Sequence, residues 1–483
     1  MSYSNSQEQT IYRSLAGQIQ LGFFDDGERF PSAQEIALGY GVSYCPAQRA
    51  LKRLETNGLV QLCRGKPTVV LAKPYHNYLS SNVFRSRAAA LGDLCKGIHL
   101  ISPSICMQGI YTTEAFAFPR ETGQKGSPTH YGKLLYKTFY KYLQALGSRT
   151  VLSLYYDIGF FAESSFLDIL NTLYGKDDTN LFLEKTAAVL LECAQTASQK
   201  TPSEIIRQLE AISTAFFERI DPYIRNTHTL SEEKEPFDWK PHKGRTRYCD
   251  IVAIELICKI NQGQYPIGTL LPNGAVLADI YHVSAITIRR TMQLLNQLGV
   301  VKTINGVGTR VTCSGDSSIP YKLKALTFDD NLRDFLEALQ FLAVTGESVI
   351  KFTFPNFTEE YLMSIQQALS IPQEKKSMVS VISACMQAVV HCCPLACIQE
   401  IYRQITILLL KGSVLRLDET GAETVPGWKS LSLSMLRSLS DKDTTQFARS
   451  WRDLMDNNFI TTKRTLLEIG VSGIDGIIQP VRS

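Results

Sequence analysis

Apolar residues recur along most of this chain at the three- and four-residue spacing of helices buried on one face. Leu332, Phe335, Leu336, Leu339 and Leu342 make one such stripe, and Ile205, Ile206, Leu209 and Ile212 make another. Residues 73–225 and 314–483 lack sustained strand-like alternation. Near the end of each, a polar string opens a late helix, in KTPSEIIRQLEAI and DKDTTQFARSWRDLM. Short strands are predicted only beside glycine-bearing turns. The fold expected is mainly α with small β-wings.

The pattern is duplicated. Residues 11–71 set above residues 252–312, a constant offset of 241, give sixteen identities in 61 columns without a gap. They include Leu15/Leu256, Ile19/Ile260, Gly22/Gly263, Gly27/Gly268, Pro31/Pro272, Val42/Val283, Ser43/Ser284, Arg49/Arg290, Leu54/Leu295, Gly58/Gly299, Gly65/Gly306 and Thr68/Thr309. Each matched glycine predicts a turn with special backbone geometry. The offset also aligns Leu91-x-Asp93-Leu94 with Leu332-x-Asp334-Phe335. A Phe-x-Phe-Pro string recurs at 116–119 and 352–355 with a shifted offset. The chain thus reads as two copies of one two-domain protein: a small unit at 1–72, a helical segment at 73–225, a polar linker with two prolines at 226–247, a second small unit at 248–313 and a second helical segment at 314–483.

In the second copy the order of elements is legible. Ile251, Ile254, Ile257 and Cys258 predict an amphipathic helix over 248–262, and a turn follows at Gly263–Gly268. Pro272 opens a short helix carrying Leu277, Ala278 and Ile280. After Tyr281-His282-Val283, Ser284 is a good N-cap for a helix through Leu298. Gly299 stops it, and 300–303 and 308–312 read as strands joined by an Asn305-Gly306 turn. Three helices and a two-stranded wing make a winged helix-turn-helix, whose third helix suits the major groove and whose wing suits the backbone or minor groove.

Here the sequence resembles the GntR family of bacterial transcription regulators. The strings that carry the resemblance are ICKINQGQYPIGTLLPN and VLADIYHVSAITIRRTMQLLNQLGVVKTINGVGTRV in the second copy. In the first they are LAGQIQLGFFDDGERFPSAQEIALGYGVS and ALKRLETNGLVQLCRGKPTVV. The family places arginines after the Pro-Ser of the second helix, directly after Val-Ser, and four residues later. Those positions hold Gln34, Tyr44 and Gln48 in one copy and Ala275, Ala285 and Arg289 in the other, so one arginine of six survives. The family's usual operator is therefore not implied.

Replacement donors lie nearby. Expected DNA contacts are Ser43, Tyr44, Gln48, Arg49, Lys52, Arg64, Gly65 and Lys66 in the first copy. In the second they are Ser284, Thr287, Arg289, Arg290, Gln293, Lys302, Asn305, Gly306, Gly308 and Thr309. Gln48 suits adenine and Arg289 guanine. The competing reading makes these residues the solvated face of an amphipathic helix. Residues 8–72 carry seven Lys/Arg against six Asp/Glu, and residues 245–313 seven against three. Phosphate attraction dominates affinity, so the second unit should bind DNA better. Pro67 replaces the second glycine of the first wing.

The helical segments are similar to the all-helical effector domain (FadR-C-terminal type, FCD) of GntR regulators, most clearly in YKTFYKYLQALGSRTVLSLYYDI and VISACMQAVVHCCPLACIQEIYRQI. That family often binds a metal through an Asp and three His. The seven His here (76, 99, 130, 228, 242, 282 and 391) form no helical pair at ligand spacing, and Phe139-Tyr140 stands at the family's Phe-His position. Asp93 and Asp334 keep the Asp position, but an Asp alone makes no site, so no metal and no cofactor is expected. His391-Cys392-Cys393-x-x-x-Cys397 lacks zinc-knuckle spacing and reads as helix packing, with metal or redox sensing as the alternative. Aromatics between Tyr131 and Phe161 read as core, with a ligand pocket as the alternative.

Composition narrows the class. At 483 residues and roughly 150 per domain the chain holds several domains, and 44% hydrophobic with 20% charged residues excludes a disordered protein. A formal charge of +4 makes any basic surface local. The opening MSYSNSQEQT lacks the apolar stretch expected of a secretion signal, no apolar run reaches membrane length, and twelve cysteines scattered through apolar helices suit a reduced, cytoplasmic protein. No G-x-S-x-G, H-E-x-x-H or P-loop string occurs, so no enzyme is expected. The expected function is a transcription regulator on double-stranded DNA, with two readers in one chain forming an intrachain pseudo-dimer; unequal half-sites and one nearly silent reader are both open. A further homodimer and a small-molecule effector stay open. The competing function is a scaffold for protein partners that has lost DNA binding.

Overall fold

The computed structural model describes residues 26–40, 42–63, 65–71, 78–113, 128–162, 165–228, 234–239, 247–261, 263–312, 329–371, 374–417 and 427–482, with single positions at 8, 11, 12, 15, 16, 19, 24 and 241. The fold is mainly helical, with two small antiparallel sheets. The chain divides into two compact units. One comprises residues 1–244, 394–400 and 480–483, and the other residues 245–393 and 401–479.

The first unit begins with helical positions that bury Ile11, Leu15, Ala16 and Ile19. Helix α1 (Ala33–Tyr40) and helix α2 (Tyr44–Thr56) follow, then strands β1 (Val60–Gln61) and β2 (Val69–Val70). Ser32 and Glu35 cap α1 reciprocally: the Ser32 N–H donates to Glu35 Oε2 at 2.7 Å and the Glu35 N–H to Ser32 Oγ at 3.2 Å. Helices α3 (Asn82–Thr112), α4 (Pro128–Ala145), α5 (Arg149–Ala162), α6 (Ser165–Thr196) and α7 (Pro202–His228) complete the unit. Helix α3 packs on α7 and α4. The last contact depends on Gly109, where a Cβ would stand 2.5 Å from Tyr142 Cα. The predicted polar start of α7 is a second reciprocal cap, between Thr201 and Glu204. The aromatics of α4 and α5 pack on one another, with Phe139 and Tyr155 edge to face at 5.0 Å and Tyr142, Tyr155 and Phe161 buried.

The second unit repeats the opening order as α8 (Tyr248–Asn261), α9 (Gly274–Tyr281), α10 (Ala285–Gln297), β3 (Val301–Ile304) and β4 (Gly308–Val311). The short helix starts at Gly274 rather than at Pro272, because Asn273 is the cap: its Oδ1 accepts the Val276 N–H at 3.0 Å. Helices α11 (Asp329–Thr353), α12 (Glu359–Leu369), α13 (Glu374–Cys392), α14 (Ala396–Leu410, whose first five residues belong to the first unit), α15 (Trp428–Ser440) and α16 (Thr444–Ile469) follow. Asp443 caps α16 through the Gln446 N–H, 2.9 Å. Core residues of the winged helix (Val252, Leu256, Leu295) and of the bundle (Leu332, Leu336, Phe459) belong to one continuous cluster.

The repeat holds at the level of backbone. Helices α1 and α2 and helices α9 and α10 have ends related by the same offset of 241. Gly27/Gly268, Gly58/Gly299 and Gly65/Gly306 all have φ between 69° and 85°, the left-handed region that favours glycine. The structure adds a backbone segment beside each wing, joined by an isolated bridge at Arg29↔Val69 and Leu270↔Arg310, that the sequence pattern does not reveal. Gly268 and Leu271 donate to Val311 and Thr309 carbonyls at 2.9 and 2.8 Å, and Gly27 and Phe30 donate to Val70 and Thr68 at 2.9 and 2.7 Å. The wing turn of the second copy is longer than an Asn-Gly pair, with three residues between Ile304 and Gly308.

Candidate nucleic-acid interface

Helices α2 and α10 each bury one face and expose the other. Ala47, Ala50, Leu51 and Leu54 of α2 are buried, as are Ile288, Thr291, Leu294 and Leu295 of α10. The opposite face of α2 exposes Tyr44, Gln48, Arg49 and Lys52, and that of α10 exposes Arg289, Arg290 and Gln293. The sequence-predicted side chains thus share one solvent-facing surface in each copy. Ser284 and Thr287 are partly occupied, since Ser284 Oγ accepts the Thr287 N–H at 3.3 Å and meets its hydroxyl at 3.0 Å. Ser43 takes the same backbone conformation but makes no side-chain cap bond. The residue three positions on is Pro46, which has no N–H to give.

The wings diverge more. In the second copy β3 and β4 pair over four residues, Val301↔Val311 to Ile304↔Gly308. The Thr303 N–H donates to Asn296 Oδ1, and Asn296 Nδ2 donates to Thr303 Oγ1, both at 2.8 Å, tying the wing to α10. Lys302, Asn305, Gly306 and Gly308 are exposed, and Thr309 is half-buried with its hydroxyl 3.2 Å from that of Thr303. Gly308 has φ 132°, which the pyrrolidine ring of a proline forbids. In the first copy Pro67 stands there, and the strands pair only at Val60↔Val70 and Gln61↔Val69. Gly65 and Lys66 are exposed beside this shorter wing, while Arg64 lies outside the described residues.

Arg310 is a residue that motif reading missed. It sits directly across from Lys302 in the register, and Leu270 bridges it on the other side, so two exposed cations share one face of the wing. Like charges directly opposite on neighbouring strands are unfavourable, which suits an anion-binding surface. The signal was present as the residue before Val311, within a strand whose alternation puts 302 and 310 on one side. The equivalents in the first copy are Gln61 and Val69.

Charge pairing separates the copies further. Arg49 of α2 is held by Glu8 at 2.9 Å, and Arg29 by Glu35 at 2.9 Å. The Ser32 N–H bond, with the Ser32 hydroxyl and Arg29 adding to it, holds the Glu35 carboxyl below its ordinary pKa. Arg53 lies over the Tyr12 ring, 4.5 Å from its centroid. In the second copy Arg289, Arg290, Lys302 and Arg310 form no ion pair among the described residues.

The model of the family described as bacterial regulatory proteins, gntR family, matches residues 7–70 and 250–311, the two winged helices. The chain carries two GntR-type domains in tandem. Among curated relatives, the HTH-type transcriptional regulator TreR of Bacillus subtilis (strain 168) is 36% identical over 85 residues, 17% of this chain and 36% of TreR. The chain therefore spans only about a third of that relative's length. Among solved structures, Streptococcus agalactiae GntR aligns at 13% identity with a TM-score of 0.21, over 44% of this chain and 99% of its own. E. coli McbR/YncC aligns at 14% and 0.23, over 45% and 98%.

Behind the two winged helices, Asp93 and Asp334, which the sequence resemblance set at a metal position, have other partners. Asp334 is buried and accepts from Lys411 Nζ at 2.5 Å, so an ammonium supplies the positive charge beside it. Asp93 accepts the backbone N–H groups of Ala396 and Cys397 at 3.0 and 2.7 Å. Among the described residues no three His, Cys, Asp or Glu side chains converge. The His391 ring stacks on Tyr361 with centroids 5.7 Å apart, and Cys393 and Cys397 are each buried. Burial pushes the Cys95, Cys106 and Cys385 thiols well up. Among the described cysteines Cys45, on α2, alone is exposed. No helix among the described residues is long and apolar enough to cross a membrane.

Proposed function

We propose that the chain is a DNA-binding transcription regulator whose second winged helix supplies most of the affinity, while the first reads a weaker and different half-site. The observation that carries this reading is the exposed set Arg289, Arg290, Lys302 and Arg310, without an ion pair among the described residues and spread over the reading helix and the wing of one winged helix. Phosphate neutralisation sets the strength of such binding and side chains on the reading helix set its sequence preference. In the first winged helix Arg49 and Arg29 already have carboxylate partners. Joining two unlike readers in one chain raises the effective concentration of the second contact and favours an asymmetric operator. The helical segments are assigned the pairing and effector role that the GntR resemblance implies.

The test is selection of sites from a random duplex library by the full chain, followed by salt titration on the enriched site. An enriched two-part site with a steep salt dependence is expected, and Arg289→Ala/Arg290→Ala should abolish the enrichment. Equal weak binding to every sequence would overturn the reading in favour of a protein-binding scaffold.

A further inference from the structure

Ile286 is the second residue of α10, and its side chain is 54% exposed, although Ile288 two positions later is 2% exposed. A β-branched side chain in the first turn adds little to helix stability, and leaving it in water forfeits the gain of burial. It stands three, four and seven residues before Arg289, Arg290 and Gln293, the spacing that places all four on one helix face. The surface expected to face DNA therefore has cations and an amide at its middle and an uncovered alkyl group at its leading end. Ala285 beside it is small and exposed, leaving room for close approach.

We propose that Ile286 reads the 5-methyl group of a thymine in the second half-site. That methyl is the apolar feature of the major-groove edge, and an aliphatic side chain is the group that recognises it. The inference rests on the DNA-binding reading above and assigns a base preference within it. In the first copy the same position is Cys45, exposed but shorter, so this thymine preference belongs to one half-site and adds to the asymmetry of the operator.

The experiment uses the full chain and its enriched duplex. Each thymine of the second half-site is replaced singly by deoxyuridine, which deletes the methyl and leaves the pairing edge intact. Binding to wild type and to Ile286→Ala is measured by fluorescence anisotropy. Wild type should lose about fourfold at one position, the worth of one buried methyl, and Ile286→Ala should lose nothing there. Its thermal unfolding should match wild type, because the side chain is exposed. At that position a cytosine with a 5-methyl should bind better than one without, which separates methyl recognition from reading of the A·T edge. An enriched site indifferent to deoxyuridine, or equally sensitive in Ile286→Ala, overturns this proposal alone. Failure to enrich any site overturns it together with the DNA-binding reading.

Discussion

Glu8 holds the guanidinium of Arg49 at 2.9 Å on the exposed face of α2. Position 249, its counterpart by the repeat offset, is Cys249, so Arg290 has no equivalent acid. Exposed pairs are worth about 0–1 kcal/mol, so the contact does little for folding. Its consequence is for binding. Glu8→Gln should leave thermal unfolding within a degree or two of wild type. In an Arg289→Ala/Arg290→Ala background it should tighten binding to the first half-site and steepen the salt slope by about one. Unchanged slope would show that Arg49 does not meet phosphate.

The facing cations of the second wing should behave differently from those of α10. Lys302→Gln/Arg310→Gln should weaken binding to every sequence alike and reduce the salt slope by about two. Arg289→Ala should instead relax preference at particular base pairs. Titration of enriched and scrambled duplexes at several salt concentrations separates these outcomes.

Gly308 at φ 132° sets the length of the second wing. Gly308→Pro should strain the hairpin by about 1–3 kcal/mol and shorten the protected segment seen by amide exchange to that of the first wing. Pro67→Gly should lengthen protection in the first wing.

Lys411 and Asp334 form a buried pair in the second helical segment. Removing one partner of such a pair costs about 3–5 kcal/mol, whereas replacing both with apolar residues of similar size is often neutral. Lys411→Ala should therefore lower the urea midpoint strongly, and Lys411→Met/Asp334→Leu should recover most of it.

Much of this was legible in sequence because glycines and the buried helix faces are local signals. Gly58/Gly299 and Gly65/Gly306 mark turns in both copies, and Leu54/Leu295 mark the buried side of each reading helix. The segment bridged to the second wing was hidden, since Thr269 to Leu271 pair through backbone groups that carry no side-chain pattern. Arg310 became visible only when the register set it across from Lys302. Glu8 and Arg49 are 41 positions apart, and no spacing rule links them. The partners of Asp93 and Asp334 lie farther off still, at Ala396 and Lys411, so the sequence showed retained aspartates without showing what they hold.

The unequal wings carry a consequence for the outline of the protein on DNA. Both wings span eleven residues from first to last pair, 60–70 and 301–311, but the first is laddered at two positions and the second at four, so more of the first lies outside its ladder. Cleavage protection along the operator should therefore be lopsided in sharpness, with an abrupt edge beside the half-site met by the four-residue ladder of Gly308 and a gradual one beside that met by Pro67.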